Sequence, residues 1–296
     1  MGIDSRANPK PRKTRNENEL DITGLVSTTF SLWSKKLPIY IVIVGITGAV
    51  LVMFQAFYLF YLFGLTGFGL LEFIGTSPID AIFSLVLFDI PTVILIPIII
   101  LTLIGLLVYA VVAGAAIRYA LVDYETPGSG NISESFSFAW RLAVPLFGVQ
   151  LLQSLVILGL VALAVISFSY QPIVSIGLIF AVTYIAVRLT PASAVVIAEE
   201  RPPINALSRS WQMTSVAFWH VFFSQLMMAG VFMIVTIVLS LAVGIGLVFI
   251  IASWEILILI TTLVTSLLLS SLNYLFQAVL YKDLEARDVT RDFNIL

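Results

Sequence analysis

Residues 142–167 read LAVPLFGVQLLQSLVILGLVALAVIS and residues 172–189 read PIVSIGLIFAVTYIAVRL, joined by the short link FSYQ. No charged side chain occurs from Leu142 to Val187. A helix needs roughly 20 mostly apolar residues to cross a bilayer. Two such runs around a short polar link predict a membrane hairpin, with Thr190-Pro191 breaking the second helix because proline donates no backbone hydrogen bond.

Working outward, four more stretches qualify: residues 37–63, 91–117, 217–243 and 254–281. Gly244 and Gly246 mark either an outer turn or the interior of a long helix. Composition agrees with this count of spans. Of 296 residues, 60% are hydrophobic and 11% charged, against about 25% charged in soluble domains. The expected fold is an all-α integral membrane protein of six transmembrane helices. Residues 1–21 are expected to be a disordered cytoplasmic tail, 22–284 the membrane domain and 285–296 a short cytoplasmic tail. No secretory signal is expected, because the first apolar run follows a long polar stretch and exceeds a signal's length.

With six spans all fifteen basic residues fall on the face shared by the termini, whereas the opposite loops carry only Glu72, Asp80, Asp89 and Glu255. The positive-inside rule makes the basic face cytoplasmic, in the cell membrane. A net charge of −2 without a basic patch argues against nucleic-acid binding. Zero cysteines exclude disulfides and thiolate chemistry, and one histidine, His220, leaves little for a metal or acid–base centre. No cofactor is expected.

A threefold pattern underlies the spans. Amphipathic segments 23–36, 132–143 and 203–214 each precede a span, place apolar residues at helical spacing and carry a tryptophan: Trp33, Trp140 and Trp211. Such helices lie in the headgroup layer, at the depth tryptophan favours. The even spans close on Asp123, Glu199 and Asp283, each after small and aliphatic residues. The expected unit is an interfacial amphipathic helix plus a helical hairpin, repeated three times.

The most distinctive wording lies between Arg188 and Phe222: Thr190-Pro191-Ala192, Val195-Val196-Ile197-Ala198-Glu199, Ala206-Leu207-Ser208-Arg209-Ser210-Trp211 and Phe218-Trp219, with Tyr281-Lys282-Asp283 near the close. It resembles the membrane domain attached to some glycerophosphoryl diester phosphodiesterases and found in stand-alone multi-pass proteins. The resemblance covers residues 23–288 in layout and is specific over 188–222. Enzymes of that kind resemble metal-assisted hydrolases with a soluble barrel, two histidines and several carboxylates. No barrel-length soluble region exists in this chain, so the resemblance implies a member without the catalytic domain.

Ionisable groups near or inside spans are functional candidates. Arg188 has three readings: an ion pair with Glu199 or Glu200, contact with a lipid phosphate, or a snorkelling anchor. Arg209 joins this group as a candidate structural or lipid contact. Arg118 is expected to snorkel and His220 to be a hydrogen-bonded structural histidine. The intramembrane amides are Gln150 and Gln153, Gln225, and Asn273 with Gln277; those within one helix are three or four apart and face one way. Interhelical hydrogen bonding is their common use. Gly45-x-x-x-Ala49 and Ala110-x-x-x-Gly114 permit close helix contact.

These features lead to a non-enzymatic bilayer module, a scaffold or a subunit of a membrane assembly. Its partners would be the lipid bilayer, anionic lipid headgroups and other membrane proteins. The alternative is a transporter or lipid-handling protein with the amides around a polar cavity between repeats.

Overall fold

The computed structural model describes residues 19–45, 47–48, 92–168, 170–248 and 254–293. Among the described residues every regular element is helical. In chain order these are α1 (Ile22–Lys35), α2 (Leu37–Tyr40, continuing into a π-turn at Ile41–Gly45), α3 (Thr92–Glu125), α4 (Ile132–Arg141), α5 (Ala143–Phe168), α6 (Pro172–Leu189), α7 (Ala192–Glu199), α8 (Pro203–Val216), α9 (Phe218–Val248), α10 (Trp254–Leu269) and α11 (Leu272–Phe293).

Among the described residues five stretches are long and apolar enough to cross a membrane: Thr102–Glu125, Ala143–Phe168, Pro172–Glu199, Phe218–Leu247 and Ile256–Asp288. The expected first span, 37–63, lies mostly outside the described residues, as do the outer acids Glu72, Asp80 and Asp89. Gly244 and Gly246 sit inside α9. The expected final span is interrupted at Ser270-Ser271, between α10 and α11, a break its apolar sequence does not announce. The segment expected as a C-terminal tail is helical as far as Phe293. Leu20, expected in the N-terminal tail, is tied down: its N–H donates to Asp283 at 2.7 Å and its carbonyl accepts from Arg287 at 2.5 Å.

All three expected amphipathic segments are helices: α1, α4 and α8. Their starts follow from local chemistry. Asp21 accepts from the Gly24 N–H and Asn131 from the Glu134 N–H, each satisfying a free donor of the first turn. Pro203 opens α8, where a missing N–H costs nothing. Each short helix turns into the following one through a single residue off the helical region: Lys36 (φ −120, ψ 18), Leu142 (φ −99, ψ 17) and Ala217 (φ −133, ψ 36).

The tryptophans behave unequally. Trp140 is 67% exposed and Trp211 40%, but Trp33 is packed into the core at 9%. Trp33 is therefore not an interfacial anchor. α1 lies against α9 and α11, and Leu25, Val26 and Trp33 face inward from it.

The core lies at the end of the bundle where α1, α4 and α8 sit. It contains Ala110, Ala113, Ile117, Leu121 and their apolar neighbours on α3, and the inward residues of α7 and α11. Small residues allow close approach there. A Cβ on Gly114 would meet Leu146 Cδ1 at 2.5 Å, and one on Gly45 would run into the Leu267 carbonyl oxygen. Away from this end α5, α6 and α9 present Leu163, Phe180, Val238 and similar side chains outward.

Candidate functional site

The break after α6 organises the site. Proline at 191 ends the hydrogen-bond ladder, and the carbonyls of the last turn need donors. Side chains supply them. Thr190 Oγ1 donates back to Ala186 O at 2.8 Å, Ser210 Oγ to Arg188 O at 2.8 Å, and Gln153 Nε2 from α5 to Leu189 O at 2.6 Å. Gln225 of α9 in turn donates its Nε2 proton to Thr190 Oγ1. Two of the intramembrane amides thus fasten neighbouring helices to the broken turn.

All five amides line one cavity of about 870 Å³ between α3, α5, α6, α7, α9 and α11. Gln150 and Gln153 come from α5, Gln225 from α9, and Asn273 and Gln277 from α11; Thr190, Ser154, Ser193, Tyr109 and Tyr274 add further polar atoms. The two tyrosine rings meet edge-on, 5.8 Å apart. Among the described residues no Asp, Glu, Lys, Arg or His is in the lining. These walls can hydrogen-bond a ligand and bury its apolar parts but offer it no countercharge. Its size is that of a small-molecule site.

At the charged end Asp123 near the end of α3, Glu199 at the end of α7 and Asp283 within α11 each anchor a network. Asp123 is buried, accepts the Gly128 N–H at 2.8 Å and lies 3.8 Å from Lys36 Nζ. Glu199 accepts from Arg201 at 2.5 Å, from Arg209 at 3.3 Å and from the Tyr281 hydroxyl at 3.3 Å. Arg209 also reaches Asp288 at 2.8 Å. Burial disfavours the Arg209 charge, but Asp288 and Glu199 outweigh it and hold its pKa above the ordinary arginine value. Asp283 is fully buried, with Arg287 Nε at 2.9 Å, His220 Nε2 at 3.0 Å and the Leu20 N–H. His220 thus occupies a hydrogen-bonded structural position. Glu200 closes α7 with φ 50, a left-handed conformation costly for a residue with a Cβ.

The expected ion pair of Arg188 with Glu199 or Glu200 does not form. Glu199 is taken by Arg201 and Arg209, and Glu200 by Arg141 at 3.4 Å. Arg188 instead lies among rings, 5.0 Å from Tyr184, 5.1 Å from Trp211 and 5.3 Å from Phe218. It donates to the Tyr184 hydroxyl at 2.7 Å and to the Trp211 carbonyl at 3.4 Å. The physical reason is directional: residues 186, 189 and 190 face the cavity, which turns 188 toward α8, while Glu199 lies beyond the break. Arg118 also rests on an aromatic face, 4.3 Å from the Phe138 ring centroid.

Asp283 is the residue whose weight the sequence understated. Its spacing of four to Arg287 on one helix was a usable signal, whereas its contacts with His220 and Leu20 depend on the tertiary fold. Among the described residues no group of three His, Cys, Asp or Glu could hold a metal ion. Comparison with family models, curated proteins and solved structures gives no match.

Proposed function

We propose that this chain is a non-enzymatic membrane protein that takes a small molecule from the bilayer or across it, a transporter or lipid-handling protein. The observation that carries the reading is the gathering of five intramembrane amides from three separate helices around one cavity. Amides that served only to glue helices together would be spent pairwise at tight contacts. A scaffold needs no such space, so the cavity favours this reading over the scaffold.

The architecture belongs to the same proposal: six spans, three repeats of amphipathic helix plus hairpin, and both termini at the cytoplasmic face of the cell membrane. Support comes from the matching kinks at Lys36, Leu142 and Ala217, from the acids Asp123, Glu199 and Asp283 in corresponding places, and from the one-sided basic residues. Kinship with the membrane domain of glycerophosphoryl diester phosphodiesterases rests on the wording of 188–222. Arg188, with no carboxylate partner among the described residues, is proposed to meet anionic headgroups.

The test is purification of the full chain from its native membrane, followed by mass spectrometry of what remains bound. An amphiphile at about one per chain is expected. Ala229→Trp, which fills the cavity from a lining position on α9, should release it while leaving the chain folded. Identical bound material in both proteins would refute the proposal.

A further inference from the structure

The polar groups of the cavity are not equally available. Gln153 and Gln225 each already donate one amide proton to the broken turn. Gln150, one helical turn before Gln153, is only 8% exposed, and its Oε1 lies buried with no hydrogen-bond partner among the described residues. A buried carbonyl oxygen without a donor is unfavourable, and in a native protein it calls for a partner. The partner must bring a donor into the cavity. An uncharged partner suits it, because a full charge there would meet no opposite charge among the described lining residues in a low-dielectric surround.

The lining is graded along the helices. Gln150, Ser193 and Gln277 lie nearer the charged end, while Leu106, Leu158 and Phe232 lie further along α3, α5 and α9 toward the apolar outer halves. A head held by amides and a tail running toward the outer halves fit that gradient.

We infer that the cavity binds an uncharged, hydroxyl-bearing amphiphile, a molecule of the monoacylglycerol class, and that Gln150 Oε1 accepts a hydrogen bond from its head hydroxyl. The inference rests on the cavity reading above and specifies its ligand. It makes Gln150 a specificity residue, distinct from Gln153 and Gln225, whose amides hold the helices.

Four radiolabelled probes sharing one tail test it on the purified full chain: 1-monooleoylglycerol, methyl oleate, oleate and oleylamine. Monooleoylglycerol should be retained best, with methyl oleate, which has no donor, about three- to tenfold weaker. Gln150→Leu should remove that difference by weakening monooleoylglycerol alone. Gln150→Glu, nearly the same size, should shift preference toward oleylamine by supplying the missing countercharge. Equal retention of oleate or oleylamine by the wild-type chain, or an unchanged probe ranking in both variants, overturns the ligand class. Retention of none of the four, with nothing displaced by Ala229→Trp, overturns the cavity reading itself.

Discussion

Helix α3 and helices α5 and α9 are all apolar, yet they occupy opposite environments. The apolar stretch of α3 has mean hydropathy 1.9 and is 56% buried inside the protein, while those of α5 and α9 reach 2.5 and 2.6 and are 6% buried. The more hydrophobic helices are the more exposed. In water this order would be reversed; in lipid, hydrophobicity gives no reason for helices to meet, and close packing of small side chains does. The Ala-Val-Val-Ala-Gly-Ala-Ala run at 110–116 lets Leu146, Ala139 and Ile197 close in on Gly114. Gly159 of α5 has nothing within 4 Å of where a Cβ would stand.

Substitutions can break this contrast, and the largest effect is expected at the charged end. Asp283→Ala removes the acceptor shared by Arg287, His220 and the Leu20 N–H. It should lower stability by about 3–5 kcal/mol, the scale for stranding a buried charge partner, read as a loss of folded protein on heating in detergent. An unchanged melt would mean that the charged end is not the packed end.

Gly114→Leu and Gly159→Leu form a matched pair. The first should cost about 1–3 kcal/mol through overpacking, and the second should leave the melting curve where it was. Equal losses would erase the distinction between packed and lipid-facing helices.

Arg188→Leu should cost less, about 1 kcal/mol, the worth of a partly exposed cation over aromatic rings. Adding Glu199→Gln should recover none of that loss, because Glu199 answers to Arg201 and Arg209. Recovery in the double variant would restore the ion pair and move Arg188 across the break.

The same contrast separates what was legible in the sequence from what was not. The apolar lengths of α5, α6 and α9 depend on local composition, as does the Thr190-Pro191 break, and these were readable. So were the starts of α1, α4 and α8, which follow from helical periodicity and, for α8, from Pro203. The break at Ser270-Ser271 was hidden because serine is tolerated in a membrane helix and carries none of proline's geometric constraint. Trp33 misled because a tryptophan at the end of an amphipathic helix satisfies both a core and an interface pattern. At the site, the amides within one helix were legible as polar groups facing one way, but their convergence on one cavity depends on how α5, α9 and α11 are packed. Arg188 was legible as unusual, yet its partner depended on the direction of the helix after Pro191.

The most direct measurement of the central claim uses the absence of native cysteines. Ser154→Cys places a thiol in the cavity wall, and Ser224→Cys places one at a fully buried position on α9 outside that wall. In the reconstituted chain N-ethylmaleimide should modify position 154 readily, and an amphiphile occupying the cavity should protect it, while position 224 reacts only after denaturation. If position 154 proves as unreactive as position 224, the amides enclose no accessible space and the account of this protein as a binder of intramembrane ligands is contradicted.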